Sequence, residues 1–201
     1  MPIKAVISDF GGVLVRTLDT TGRARWEARL GVTQRELIQM VFDSETSQRA
    51  SVGVIPASAV WDALAVQLNL SAEEIRAFRH DFFAGDQVNA ELLDFIQSLR
   101  PRHKTAILSN AWSDLRRVVV DRLALDTAFD TMVISAEEGV VKPDRRIYEI
   151  AVARLGVALD EAVFIDDMEQ NVEAARAYGM RGVLFRDTAR AIAEVRQHLS
   201  E

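Results

Sequence analysis

Apolar residues fall in five short, nearly continuous stretches, at residues 3–8, 105–108, 132–134, 163–165 and 183–185. They do not alternate with polar residues, as a strand with one wet face would, so they predict strands buried on both sides. Between them the period changes to that of a helix. Leu92, Leu93, Ile96 and Leu99 make one stripe, opened by an Asn89 cap and stopped before Pro101. Ile147, Ile150, Ala151 and Leu155 make another, with Pro143 at an early helical position and Gly156 closing it. Strands alternating with helices predict βαβ units. The expected fold is therefore α/β, a Rossmann-like three-layer sandwich around a parallel five-stranded sheet.

The alternation breaks once. Residues 17–87 hold no convincing strand but carry two capping boxes, Thr33 with Glu36 and Ser71 with Glu74. Trp61, Leu64, Ala65 and Leu68 form one stripe there, and Ile75, Phe78 and Phe82 form a second. The pattern predicts a small all-helical cap over 17–87, inserted after strand one, with the core in residues 1–16 and 88–201. Such an insert lies over the carboxyl ends of the strands, where open α/β sheets bind ligands, so it is a candidate lid. Within it, residues 43–54, with Glu45, Arg49 and Gly53, are less regular and predict a specificity loop. Trp61 could stack on a sugar ring, but its helical stripe favours core packing.

Composition narrows the function. At 201 residues, with 49% hydrophobic and 27% charged side chains, the chain reads as an ordinary globular protein. Its net charge of −6 opposes binding to a nucleic-acid backbone or an anionic membrane surface. There are no cysteines, which removes thiol catalysis and Cys-based metal sites. His80, His103 and His198 share no ligand spacing, and no Gly-x-Ser-x-Gly elbow is present. The N-terminal apolar stretch is too short for a signal peptide. The expectation is a cytoplasmic protein, monomer or homodimer, acting on a small molecule.

The chemistry-bearing residues stand at strand ends. Strand one runs into Asp9-Phe10-Gly11-Gly12, and the fourth run ends in Asp166-Asp167. If those strands are neighbours, three carboxylates converge, and like charges that close call for a cation. Such oxygen ligands suit Mg²⁺. Taken singly, each Asp also serves as an ordinary helix or turn cap. The Gly11-Gly12 pair allows a tight turn that brings backbone N–H groups up to an anion. The second run ends in Ser109-Asn110, a hydroxyl and an amide at the same edge. Lys142 follows the third run. With three lysines against 21 arginines, a lysine there suggests a need for a compact ammonium. Arg16, after the Asp9–Gly12 loop, could meet an anionic substrate or simply be solvated.

Asp9, Ser109, Lys142 and Asp167, in that order at successive strand ends, resemble the four motifs of the haloacid dehalogenase superfamily. The closest likeness is to its phosphatase-like branch with a helical cap, which includes bacterial sugar-phosphate phosphatases and the phosphatase domain of epoxide hydrolases. The resemblance implies a Mg²⁺-dependent phosphatase for small phosphorylated metabolites. Asp9 would be the nucleophile and a metal ligand. Gly11 would ligate through its carbonyl, and Asp167 directly. Ser109, Asn110 and Gly12 would contact the phosphoryl group, and Lys142 would hold that group and Asp9 together. Asp166 and Asn171 would support the loop. The sequence departs from the family at Gly11, where most of its phosphatases carry a second Asp as general acid and base. That leaves open a non-catalytic binding member or a 2-haloacid dehalogenase. For an active enzyme it implies a preference for good leaving groups.

Overall fold

The computed structural model describes residues 2–200. Five parallel strands form the sheet, in the spatial order β5-β4-β1-β6-β7. They are β1 (Ala5–Ser8), β4 (Lys104–Ser109), β5 (Thr131–Ile134), β6 (Ala162–Asp166) and β7 (Arg181–Leu184). Each coincides with one of the five apolar stretches to within two or three residues. The strand that carries Asp9 lies at the centre, paired with β4 on one side and β6 on the other.

Both faces of the sheet are buried, and the pleat shows it. Val6, Ile107, Val163, Ile165 and Val183 share one apolar cluster with Leu92 and Ile96 of α6 (Ala90–Leu99) and with Ile192 and Val195 of α11 (Thr188–Ser200). Their alternating neighbours Ala5, Ile7, Ala106, Leu108 and Phe164 face the other way. They pack on Ile147, Ala151 and Leu155 of α9 (Arg145–Leu155) and on Ala175 of α10 (Glu169–Ala177). Fully burying each large apolar side chain stabilises by roughly 1.5–3 kcal/mol, and a one-residue slip would present every one of them to the wrong layer. Between β4 and β5 the chain makes the short α7 (Leu115–Arg117), a π-helical turn over Val118–Arg122 and a 3₁₀ turn over Asp126–Ala128. The single turn α8 (Ser135–Glu138) follows β5.

The region around 17–87 is helical apart from its two ends. Five helices, α1 (Thr21–Leu30), α2 (Gln34–Phe42), α3 (Glu45–Ser51), α4 (Ala57–Gln67) and α5 (Ala72–Phe83), enclose an apolar cluster of their own. Trp26, Leu37, Val41, Trp61, Leu64, Phe78 and Phe82 lie at its centre, so Trp61 is a core residue. Both capping boxes form as read.

Three local expectations change. The entry and exit of the insert are strands, not helix or loop: β2 (Val15–Thr17) and β3 (Asp86–Val88) pair antiparallel as a two-stranded ribbon. The supposedly irregular segment 43–54 contains α3, which starts because the Ser44 hydroxyl accepts from the N–H of Ser47. Pro143 precedes α9 and lies outside it. Asp144 is the N-cap, its carboxylate accepting from Arg146 N.

Candidate active site

The central position of β1 decides where the site is. Asp9 follows the strand directly, its N–H donating to Ile165 O of β6 at 2.8 Å. Its Oδ1 accepts from Phe10 N at 2.7 Å and from Lys142 Nζ at 2.9 Å. Oδ2 takes neither bond. Lys142 is buried, and its ammonium also donates to Asp166 Oδ2 at 2.6 Å and to Leu108 O at 3.0 Å. Three acceptors for three N–H bonds leave this cation fully satisfied and aimed at the end of β1.

Asp166 ends β6 and is completely buried. Besides Lys142 it accepts from Met168 N at 2.7 Å and from the Asn171 side-chain amide at 3.2 Å. Asn171 is itself placed by Tyr148, whose hydroxyl donates to Asn171 O at 3.0 Å. Carboxylate oxygens of Asp9, Asp166 and Asp167 lie within 4.8 Å of one another. Burial raises Asp9 to about 6, and Asp166 adds to the rise while Lys142 opposes it. Asp167 is likewise raised, by burial and then by Asp166. Burial alone would lower Lys142, but Asp9 and Asp166 together hold it above its ordinary value. The centre thus keeps one ammonium charged among three carboxylates, a surplus of negative charge that a divalent cation relieves. Hard carboxylate oxygens fit Mg²⁺. So does the Gly11 carbonyl, which no backbone donor reaches among the described residues.

The loop after β4 brings the hydroxyl and the amide to this edge but uses them differently. Ser109 is buried, and among the described residues its hydroxyl takes part in none of the hydrogen bonds that hold the edge. Asn110 is tied to the lysine backbone on one side: its amide donates to Lys142 O at 2.9 Å, and its carbonyl oxygen accepts from Lys142 N at 2.7 Å, which commits one of its two N–H donors. These two bonds position Lys142, a duty the sequence reading did not assign to Asn110. Gly12 also departs from expectation. Its N–H donates to Val15 O at 2.9 Å and is not available to an anion. The glycine is required because φ is +79° and a Cβ there would run into the Asp167 carboxylate. At Gly11, by contrast, a Cβ would meet nothing within 4 Å. Space for a side chain is therefore open at this position. Arg16 lies over the Phe185 ring at 5.7 Å.

Two contributors escaped the sequence reading. Tyr148 sits one residue beyond Ile147 of the apolar stripe, and nothing in the pattern separates it from plain core. Trp112, three residues after Ser109, inserts into the aromatic cluster of the insert: its Nε1 donates to Ser47 Oγ of α3 at 3.2 Å, and its ring lies 5.6 Å from Trp61. An ion pair from Arg79 to Asp114, at 2.9 Å, spans the same seam.

Known proteins resemble this chain in sequence and in fold. A family model described as haloacid dehalogenase-like hydrolase matches residues 3–179. The chain is 28% identical over 201 residues to sesquiterpene phosphatase astK of Aspergillus oryzae, covering 96% of this chain and 95% of that one. It is 32% identical over 117 residues to bifunctional epoxide hydrolase 2 of Rattus norvegicus, which is 56% of this chain but 21% of the relative. Matches to the rat and Sus scrofa epoxide hydrolases take in only 21% and 38% of their lengths. In three dimensions it is similar to the HAD family enzyme bt-2542 of Bacteroides thetaiotaomicron, described in complex with magnesium and inorganic phosphate. The TM-score is 0.74 at 19% identity, covering 92% of this chain and 94% of that one.

Proposed function

The chain belongs to the haloacid dehalogenase-like hydrolases, and from that membership we propose that it is a Mg²⁺-dependent phosphatase of small phosphorylated metabolites, working through an aspartyl-phosphate on Asp9. The observation that carries this is the Asp9–Lys142–Asp166 triad beside Asp167 at the carboxyl end of the central strand.

The mechanism follows from how these groups are tied. Oδ1 of Asp9 is held by Phe10 N and Lys142, so Oδ2 is the oxygen presented to phosphorus. Its attack forms the Asp9–O–P bond as the P–O bond to the leaving group breaks. Lys142 neutralises charge on the nucleophile and the transferred group, and the Ser109 hydroxyl donates to a phosphoryl oxygen. Water then attacks phosphorus, releasing inorganic phosphate and restoring the Asp9 carboxylate. Asp9, Asp167 and the Gly11 carbonyl would hold Mg²⁺, with Asp166 supporting them through Lys142 and the loop. The ion would neutralise charge on the transferring group. The helices over 17–87 serve as the cap, and leaving-group identity is read there.

Gly11 offers no acid to protonate a departing alkoxide. Good leaving groups, such as anomeric sugar, acyl or aryl phosphates, are therefore the preferred substrates. Phosphate release from such a panel, with Mg²⁺ and with chelator, tests the reading. Turnover should need Mg²⁺ and fall by at least about a thousandfold in Asp9→Asn. Release that persists in that variant, or is absent from every substrate, would sink it. The open space at Gly11 favours one second reading, a member that binds phosphorylated ligands without hydrolysing them. Saturable phosphate binding without turnover is its mark.

A further inference from the structure

At the opposite end of the sheet from Asp9 lies a cleft of about 470 Å³, lined by Lys4, Arg100, Arg102, His103, Lys104 and Asp130 together with the apolar Pro101, Leu155 and Val157. Four permanent cations share it with one lining carboxylate, in a chain whose net charge is −6. Two of the three lysines of the whole sequence, Lys4 and Lys104, are here, and the third is Lys142. That size falls within the range of small-molecule pockets.

Internal pairing leaves the charge uncancelled. Lys4 reaches Glu161 at 2.5 Å, just outside the cleft, while Arg100 and Lys104 share the single Asp130 at 3.3 and 3.7 Å. The Arg102 guanidinium has no acidic partner among the described residues. His103 Nδ1 is buried without a hydrogen-bond partner. Cations near the carboxyl ends of α6 and α9 would favour those helix dipoles. Lys4 and Lys104 come from the starts of strands, however, where no such dipole asks for them.

We propose that this cleft is a second ligand site, for a small organic anion with two or more phosphate charges, its apolar body on Pro101, Leu155 and Val157. The cations supply charge-assisted hydrogen bonds to phosphate oxygens. Lys4 immediately precedes β1, which leads directly into Asp9, and Lys104 opens β4, which ends at Ser109. An occupant therefore grips the far ends of the two strands that carry the nucleophile and the hydroxyl.

Tripolyphosphate binding, followed by titration calorimetry without Mg²⁺ and with saturating orthophosphate, tests this. The wild-type protein should bind saturably, with an affinity that weakens as salt is raised. Arg102→Gln, whose side chain holds nothing in the fold, should weaken binding about tenfold, and Lys4→Gln/Arg102→Gln/Lys104→Gln should abolish it. Both variants should keep the phosphatase activity of the wild type under Mg²⁺. Absent saturable binding, or binding equally tight in wild type and Arg102→Gln, would overturn the proposal. A triple variant that is only less stable, with Arg102→Gln binding unchanged, would do the same and assign the cluster to helix ends.

Discussion

Lys142 shows how much one side chain carries at this edge. Among the described residues, its ammonium is the only one the two buried carboxylates Asp9 and Asp166 have in contact. Removing one partner of such a buried set typically costs about 3–5 kcal/mol, because the remaining charge is left uncompensated. Lys142→Met should therefore lose both activity and stability, read as a fall in the urea midpoint of metal-free protein. A variant as stable as wild type would mean that the carboxylates are not charged there. Gly11 poses the opposite test, since space exists for the missing acid. Gly11→Asp should raise turnover of alkyl phosphates by about a hundredfold, at the lower end of the roughly 10²–10⁴-fold that general acid–base help supplies, and should change aryl phosphates little. An equal effect on both would show that leaving-group protonation is not what the wild type lacks. Asp9, Ser109, Lys142 and Asp167 were legible in the sequence because each follows an apolar run. The duties of Asn110 and Gly12 were not, since an amide that bonds a loop and one that bonds a ligand look alike in one dimension.

Individual elements follow local rules that differ in visibility. Continuous apolar runs marked the sheet strands, and serine or threonine three residues ahead of glutamate marked α2 and α5. β2 and β3 were hidden because each has only three residues, partly polar and only half-buried. α3 was hidden because Glu45-Thr-Ser-Gln-Arg-Ala-Ser has no apolar stripe, and its stability rests on the Ser44 cap and on packing against its neighbours. The α5 capping box has a pH signature. Hydrogen bonds from Ser71 and Arg29 lower Glu74 to about 2. A depressed carboxylate contributes its stability above its unfolded value and loses it as pH falls toward the folded one. The urea-midpoint difference between wild type and Glu74→Gln should accordingly be largest above about pH 4.5 and vanish near pH 2. A difference that stays constant with pH would mean that the carboxylate charge is irrelevant to the helix.

For the whole molecule, the question is what joins insert to core. No helix among the described residues is long and apolar enough to cross a membrane. The buried apolar side chains of the helices pack on one another and on the sheet. Trp112 joins the apolar cluster of the insert from the core side, and large-to-small changes of this kind cost about 3–5 kcal/mol. Trp112→Ala should split thermal unfolding into two calorimetric transitions, the insert melting first. A single transition shifted downward would instead make insert and core one cooperative unit. The β2–β3 ribbon bears on the history of such a molecule. Val15 and Val88 stand opposite each other, so the chain departs and returns at neighbouring positions about 5 Å apart. Everything between them could be exchanged by recombination for another segment without disturbing the register of the sheet. Descendants of one ancestral hydrolase could then diverge in what they recognise while inheriting the same chemistry unaltered.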